Sequence, residues 1–261
     1  MIHHARKRFG QNFLVDQSVI NHIIRSIRPK ETDNLIEIGP GKGALTAPLV
    51  EACERLQVVE LDKDLIPILL AQFVKYPQFK IHQCDALKFD FSELAAVNDK
   101  LRIVGNLPYN ISTPLIFHLL SFENTVADMH FMLQKEVVLR LAASPSEKNY
   151  GKLSVMAQYY CQIDNLFDVP PDSFRPAPKV DSAIVRLIPH EQKPIVAQDV
   201  AHLKTLVGTA FQQRRKTLRN ALGNYSVEIG ERIDKIDIDF SLRAENLSVE
   251  DYVNLSNALI N

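Results

Sequence analysis

Short apolar runs rich in Val, Ile and Leu recur through the first two-thirds of the chain. They fall at Asn34 to Ile38, Leu56 to Glu60, Phe79 to His82, Leu101 to Val104, Met129 to Leu133, Gln162 to Phe167 and Ser182 to Leu187. Between most of them lie stretches with helical spacing, such as Gly43 to Ala52, Asp64 to Lys75 and Pro114 to Phe122. Strands that alternate with helices in this way predict an α/β fold, a mostly parallel sheet covered on both faces. The last two runs are separated mainly by the Pro-rich Pro170 to Pro178, which suits an antiparallel addition at the sheet edge.

The pattern breaks at Pro189 to Pro194 and is helical only beyond it, at Asp199 to Gln212, Arg215 to Gly223 and Val249 to Ile260. Ser248, with Glu250 and Asp251 close behind, is a helix start, because acidic residues favour the first turn. The sequence therefore predicts an α/β domain over 1–189 and a small helical domain over 190–261.

A chain of 261 residues with 46% apolar content can bury a large core. Its net charge of -1 does not announce a nucleic-acid binder, so any such role must rest on local patches. Two such patches exist: Arg6, Lys7 and Arg8 near the start, and Arg214, Arg215, Lys216 and Arg219 in the helical tail. Both are expected to meet phosphates. Cys53, Cys84 and Cys161 lack metal-like spacing and read as reduced thiols of a cytoplasmic protein. The histidines, His118 and His130 among them, show no ligand spacing, so no metal is expected. Neither a leader's apolar segment nor a membrane span is apparent.

The candidate chemistry sits at strand ends. Glu37-Ile38-Gly39-Pro40-Gly41-Lys42-Gly43 follows the first strand and opens a helix. Glycines there let a ligand approach the backbone at the carboxyl end of a parallel strand. Glu60 ends the second strand, about twenty residues on, where a carboxylate can accept from both ribose hydroxyls. Asp85 follows the third strand, placed to accept from an adenine amine, and Asn106 follows the fourth. A dinucleotide fits less well: Gly39, Gly41 and Gly43 depart from the pyrophosphate fingerprint, Pro40 removes a donor, and Glu37 repels phosphate. S-adenosylmethionine has ribose, adenine and a cationic sulfonium without phosphate, and it suits these residues.

Asn106-Leu107-Pro108-Tyr109 combines an amide, a carbonyl, a rigid proline and an aromatic ring. The Asn106 oxygen and the Leu107 carbonyl can accept from an exocyclic amine while Tyr109 stacks on the base. Phe174 is a candidate second stacking wall, with an ordinary loop anchor as the equal alternative.

These motifs, with Phe9-Gly10-Gln11-Asn12-Phe13-Leu14 before them and Pro178-Lys179-Val180-Asp181-Ser182 after, resemble the rRNA adenine N6-dimethyltransferases. Phe211 with Arg214 to Asn220 points to the small-subunit branch. The resemblance spans nearly the whole chain in order. It implies a class I, Rossmann-like methyltransferase fold with a seven-stranded sheet, and a helical tail contributing to rRNA binding. By the same resemblance, Asn12 and Leu14 close over the cofactor and Gly39 contacts its methionine part. Glu60 holds the ribose, Asp85 the adenine amine, and Asn106 borders both cofactor and target base.

The implied reaction is dimethylation of two neighbouring adenosines near the 3′ end of 16S rRNA, within an assembling small (30S) subunit. Nothing in the sequence requires a dimer, so a monomer is expected. Two alternatives stand beside it. One is a DNA adenine amino-methyltransferase, since the acceptor motif suits any extruded adenine. The other is a non-catalytic assembly or transcription factor on the same fold.

Overall fold

The computed structural model describes residues 12–95, 99–232 and 236–260. They form two compact units. One holds the described residues up to Val138 together with Ile163–Pro189, and the other holds Leu139–Gln162 with those from His190 onward.

The first unit is built on a sheet. Strand β2 (Asn34–Ile38) is buried along its whole length, its polar Asn34 and Glu37 included, as befits a parallel strand covered on both faces. It pairs in parallel with β3 (Arg55–Glu60) on one side and β5 (Leu101–Asn106) on the other. β3 continues to β4 (Lys80–Gln83), and β5 to β6 (Val126–Gln134), again in parallel. β9 (Ser182–Pro189) runs antiparallel to β6, and β7 (Cys161–Val169) lies outside it. The seven-strand order is β4-β3-β2-β5-β6-β9-β7. The antiparallel strand expected at the edge thus sits one place in from it.

This order matters for function. The chain leaves β2 toward β3 and β4, then returns to place β5 on the other flank of β2. The connections leaving the carboxyl ends of β2 and β5 run to opposite sides, to β3 and to β6, so a crevice opens beyond these two strands, the usual ligand position in open α/β sheets.

A second, two-stranded sheet escapes sequence reading. β1 (Phe13–Leu14) pairs antiparallel with β8 (Phe174–Arg175), aligning Phe13 with Arg175 and Leu14 with Phe174. Both strands are too short to carry a periodicity signal. Helix α1 (Gln17–Ile27) follows at once, with Asp16 accepting from the amides of Ser18 and Val19 at its start. Ile20, Ile23 and Ile27 lie on one helical face and are buried, each worth about 1.5–3 kcal/mol once removed from water. Helices α2 (Thr46–Ala52), α3 (Ile66–Gln72) and α4 (Ser112–Leu120) alternate with the strands, and α5 (Lys135–Ala142) follows β6 directly.

In the second unit α6 (Lys152–Tyr160), α7 (Val200–Gln212) and α10 (Val249–Ile260) pack together. Leu203, Leu206, Val207, Leu255 and Leu259 supply its core. Short helices α8 (Leu218–Ala221) and α9 (Ser226–Glu231) complete it. Tyr150 and Tyr252 are wholly buried, and each hydroxyl donates to a carbonyl, of Leu247 and Ala244, at 2.9 and 2.7 Å. Ser248 accepts from the Asp251 amide while Asp251 accepts from the Ser248 amide, the reciprocal cap that the sequence suggests. Position 190 is one edge of this unit. Its other part, Leu139–Gln162, belongs here because α6 packs on α7 and α10.

Candidate active site

The polar strand ends converge as the switch point requires. Gly39, Glu60, Asp85 and Asn106 line one cavity within the first unit, together with Asn12, Phe13 and Leu14. Gly39 continues the ladder by donating to Val59 O at 2.9 Å, then turns at φ +67°, which an L side chain adopts only under strain. Its bare α-carbon leaves space toward the Asn106 carbonyl, 3.9 Å from where a Cβ would stand.

The acceptor turn is held at each residue. Asn106 Nδ2 donates to the Asn12 carbonyl at 3.0 Å. That bond identifies the nitrogen end of the amide and leaves Oδ1 as the acceptor. Leu107 N donates to Met132 O at 3.2 Å, which anchors the turn on β6. The Tyr109 hydroxyl shares a 2.7 Å hydrogen bond with Ser182 Oγ. Just before the turn, Gly105 has no room for a side chain: a Cβ would meet Ile38 O at 2.5 Å. β2 and β5 can therefore approach closely at the cavity floor only because this residue is glycine.

Four carboxyl groups, Glu37, Glu60, Asp62 and Asp85, line the cavity against a single amine, Lys42. The Lys42 Nζ lies 4.7 Å over the Phe13 ring, in cation–π range. Glu37 is fully buried, and burial pushes its carboxyl up to about 8, partly countered by the Thr46 hydroxyl that donates to it at 2.6 Å. Burial also raises Glu60, against backbone amides that donate to it, among them Asp62 N at 2.7 Å. Asp85 accepts from Leu87 N at 3.0 Å. Such a lining is rich in oxygen acceptors and suits hydroxyl donors, an exocyclic amine and a cation better than a pyrophosphate. The apolar Ile38, Leu61 and Ala86 add surface for a planar ring. These residues fit S-adenosylmethionine.

One expectation changes here. Phe174 is wholly buried in the core cluster that also holds Leu14, and it does not line the cavity. It is the loop anchor rather than a stacking wall: its ring backs Leu14 across the β1–β8 pair. Arg214, Arg215, Lys216 and Arg219 are all exposed, and Arg214 also donates within its own unit to Glu245 at 2.6 Å and to Lys148 O at 2.6 Å. Arg6, Lys7 and Arg8 lie outside the described residues.

Sequence reasoning missed Phe13, Asp62 and Gly105. Only Gly105 carried a signal, as an isolated glycine inside a strand pattern. No helix among the described residues is long and apolar enough to cross a membrane.

Comparison with known proteins agrees with the geometry. The family model described as ribosomal RNA adenine dimethylase matches residues 2–261. The chain is 67% identical over 257 residues to the ribosomal RNA small subunit methyltransferase A of Saccharophagus degradans, covering 98% of this chain and 95% of the relative. A dimethyladenosine transferase from Plasmodium falciparum superposes with a TM-score of 0.77 at 26% identity, covering 93% of this chain and 95% of that one. The 23S rRNA methyltransferase ErmE shares the fold, with a TM-score of 0.73 at 21% identity over 96% of this chain and all of that one. With the Asn106–Tyr109 turn beside a carboxyl-lined cavity, and a family match over nearly its whole length, the chain belongs to the ribosomal RNA adenine dimethylases.

Proposed function

We propose that this enzyme dimethylates the N6 amines of two adjacent adenosines near the 3′ end of 16S rRNA. It does so as a monomer, in the cytoplasm, on the assembling small subunit. The observation that carries the reading is the Asn106–Asn12 bond, which aims the Asn106 oxygen as an acceptor in the cavity that holds Glu60 and Asp85. The 67% identity to a small-subunit methyltransferase supports the choice of ribosomal RNA.

S-adenosylmethionine, when bound, supplies an electrophilic methyl group. Glu60 accepts from the ribose hydroxyls and Asp85 from the adenine amine of the cofactor. Gly39 gives its backbone room, and Asn12 and Leu14 wall the cavity. Adenine N6 is a weak nucleophile because its lone pair is delocalised into the ring. Asn106 Oδ1 and the Leu107 carbonyl accept from its two protons and draw the nitrogen toward a tetrahedral form, which localises the lone pair. This is orientation and electrostatic preorganisation, with no strong base required. Tyr109 stacks on the extruded base and offsets its lost stacking. Exposed Arg215, Lys216 and Arg219 contact RNA phosphates.

The test is mass spectrometry of undermethylated small subunits treated with the protein and isotopically labelled cofactor, with duplex DNA as a parallel substrate. Two neighbouring N6,N6-dimethyladenosines near the 3′ end are expected. Methylation of the DNA instead, or of another rRNA position, overturns the assignment.

A further inference from the structure

The acceptor turn supplies its own amide and carbonyl, but its aromatic ring is held by a residue far away in sequence. Ser182 opens β9, is completely buried, and stands opposite Gln134 of β6. The backbone just before it is fixed too, since Lys135 N donates to Asp181 O at 3.0 Å. Ser182 is therefore a rigid point of the sheet rather than part of the preceding loop. From that point its hydroxyl meets the Tyr109 hydroxyl at 2.7 Å.

A tyrosine ring attached at Cβ alone can swing about χ1 as well as turn about χ2. Fixing Oη as well as Cβ defines the long axis of the ring and leaves only rotation about that axis. Tyr109 is half-buried and lines the cavity, so part of the ring borders open space and packing alone does not settle its direction. A ring that must lie parallel to a base held by Asn106 Oδ1 and the Leu107 carbonyl needs that second point. Resting on the acceptor reading above, we propose that Ser182 is a positioning residue for methyl transfer, holding the long axis of the Tyr109 ring in the direction that lets its face meet the target adenine.

The test is a double-mutant cycle of Ser182→Ala and Tyr109→Phe, assayed on undermethylated small subunits with kcat, KM for the subunit and cofactor affinity measured separately. Each single variant is expected to lose about 3- to 10-fold in kcat, the scale of one neutral hydrogen bond made effective in the transition state. Cofactor affinity should stay within about 2-fold of the parent. The double variant should be no slower than the slower single one, because both remove the same bond. Multiplying effects, or parental kcat in either single variant, overturn the proposal.

Should Ser182→Ala fold poorly, Tyr109→Phe tests the same bond from the other side, since it removes only the hydroxyl. Asn106→Ala in parallel separates the two levels. If Asn106→Ala is inactive while both hydroxyl variants are not impaired, only the positioning role fails. If Asn106→Ala is fully active, the acceptor reading itself falls.

Discussion

The side-chain nitrogen of Asn106 donates to the backbone carbonyl of Asn12 across 94 positions of sequence, at 3.0 Å. One bond therefore fixes both the direction of the acceptor amide and the place of the segment that walls the cofactor cavity. Two substitutions separate these roles. Asn106→Ala removes the acceptor and is expected to slow methyl transfer about 100- to 1,000-fold, the usual cost of a lost transition-state hydrogen-bonding group. Asn106→Asp retains an acceptor, but a carboxylate cannot donate to Asn12 O and repels it. The aspartate variant should therefore lose more cofactor affinity than the alanine variant. Single-turnover methyl transfer and calorimetric titration of the cofactor check both statements. Equal cofactor affinities would remove the proposed link to Asn12.

Much of this site was legible because each polar residue ends an apolar run. Glu60 and Asn106 each close a strand and Asp85 follows the end of β4 by two residues, and parallel strands put such ends on one edge, so order along the chain translated into proximity. Phe174 shows where that logic stops. Its sequence setting suits a stacking wall, but whether an aromatic ring faces a cavity or the core depends on its strand partner, here Leu14 in a two-residue strand without periodicity. The helical segment Leu139–Gln162 was hidden for a related reason. Periodicity identifies a helix but not which helices it packs against, and α6 joins α7 and α10 through tertiary packing alone.

Gly105→Ala adds one methyl group where the structure has no space. The new Cβ would stand 2.5 Å from Ile38 O and 3.1 Å from Leu107 Cδ2. The first neighbour is backbone of the central strand, so relief requires β2 and β5 to separate at the cavity floor. A stability loss of at least about 1–3 kcal/mol is expected by urea denaturation, with a loss of activity in the fraction that remains folded. An unchanged midpoint would show that the strands part there without cost.

Within the basic cluster of the helical tail, position decides role. Arg214 joins Glu245 and Lys148 O, so Arg214→Ala should lower stability by up to about 1 kcal/mol, in keeping with a partly exposed ion pair. Arg215, Lys216 and Arg219 are exposed, and their joint replacement by alanine should leave the melting temperature unaltered. RNA affinity should instead weaken, with a salt slope reduced by about 1 for each phosphate no longer neutralised. Binding isotherms at several salt concentrations, beside thermal melts, distinguish the two. A triple variant with the parental salt slope would remove these residues from the RNA surface.

Glu37 gives the site a pH signature that does not depend on substrate. Its carboxyl titrates near 4.5 when free and near about 8 in the fold, because burial disfavours the charged form more than the Thr46 hydroxyl supports it. Between those values the folded chain keeps a proton that the unfolded chain has released, so stability falls as pH rises. The contribution is complete below about 4.5 and is lost as pH passes through about 8. Glu60 shifts in the same direction, which makes the absolute curve a sum over both groups. Glu37→Gln keeps the shape and the hydrogen-bonding capacity but does not titrate, and it leaves Glu60 in place. The difference between variant and parent therefore reports Glu37 together with its repulsion of Glu60. In cofactor-free protein, the melting temperature of Glu37→Gln should rise relative to the parent as pH climbs from about 4.5 to about 8, then level off. Parallel curves across that window in differential scanning calorimetry would show that Glu37 is already ionised in the folded chain.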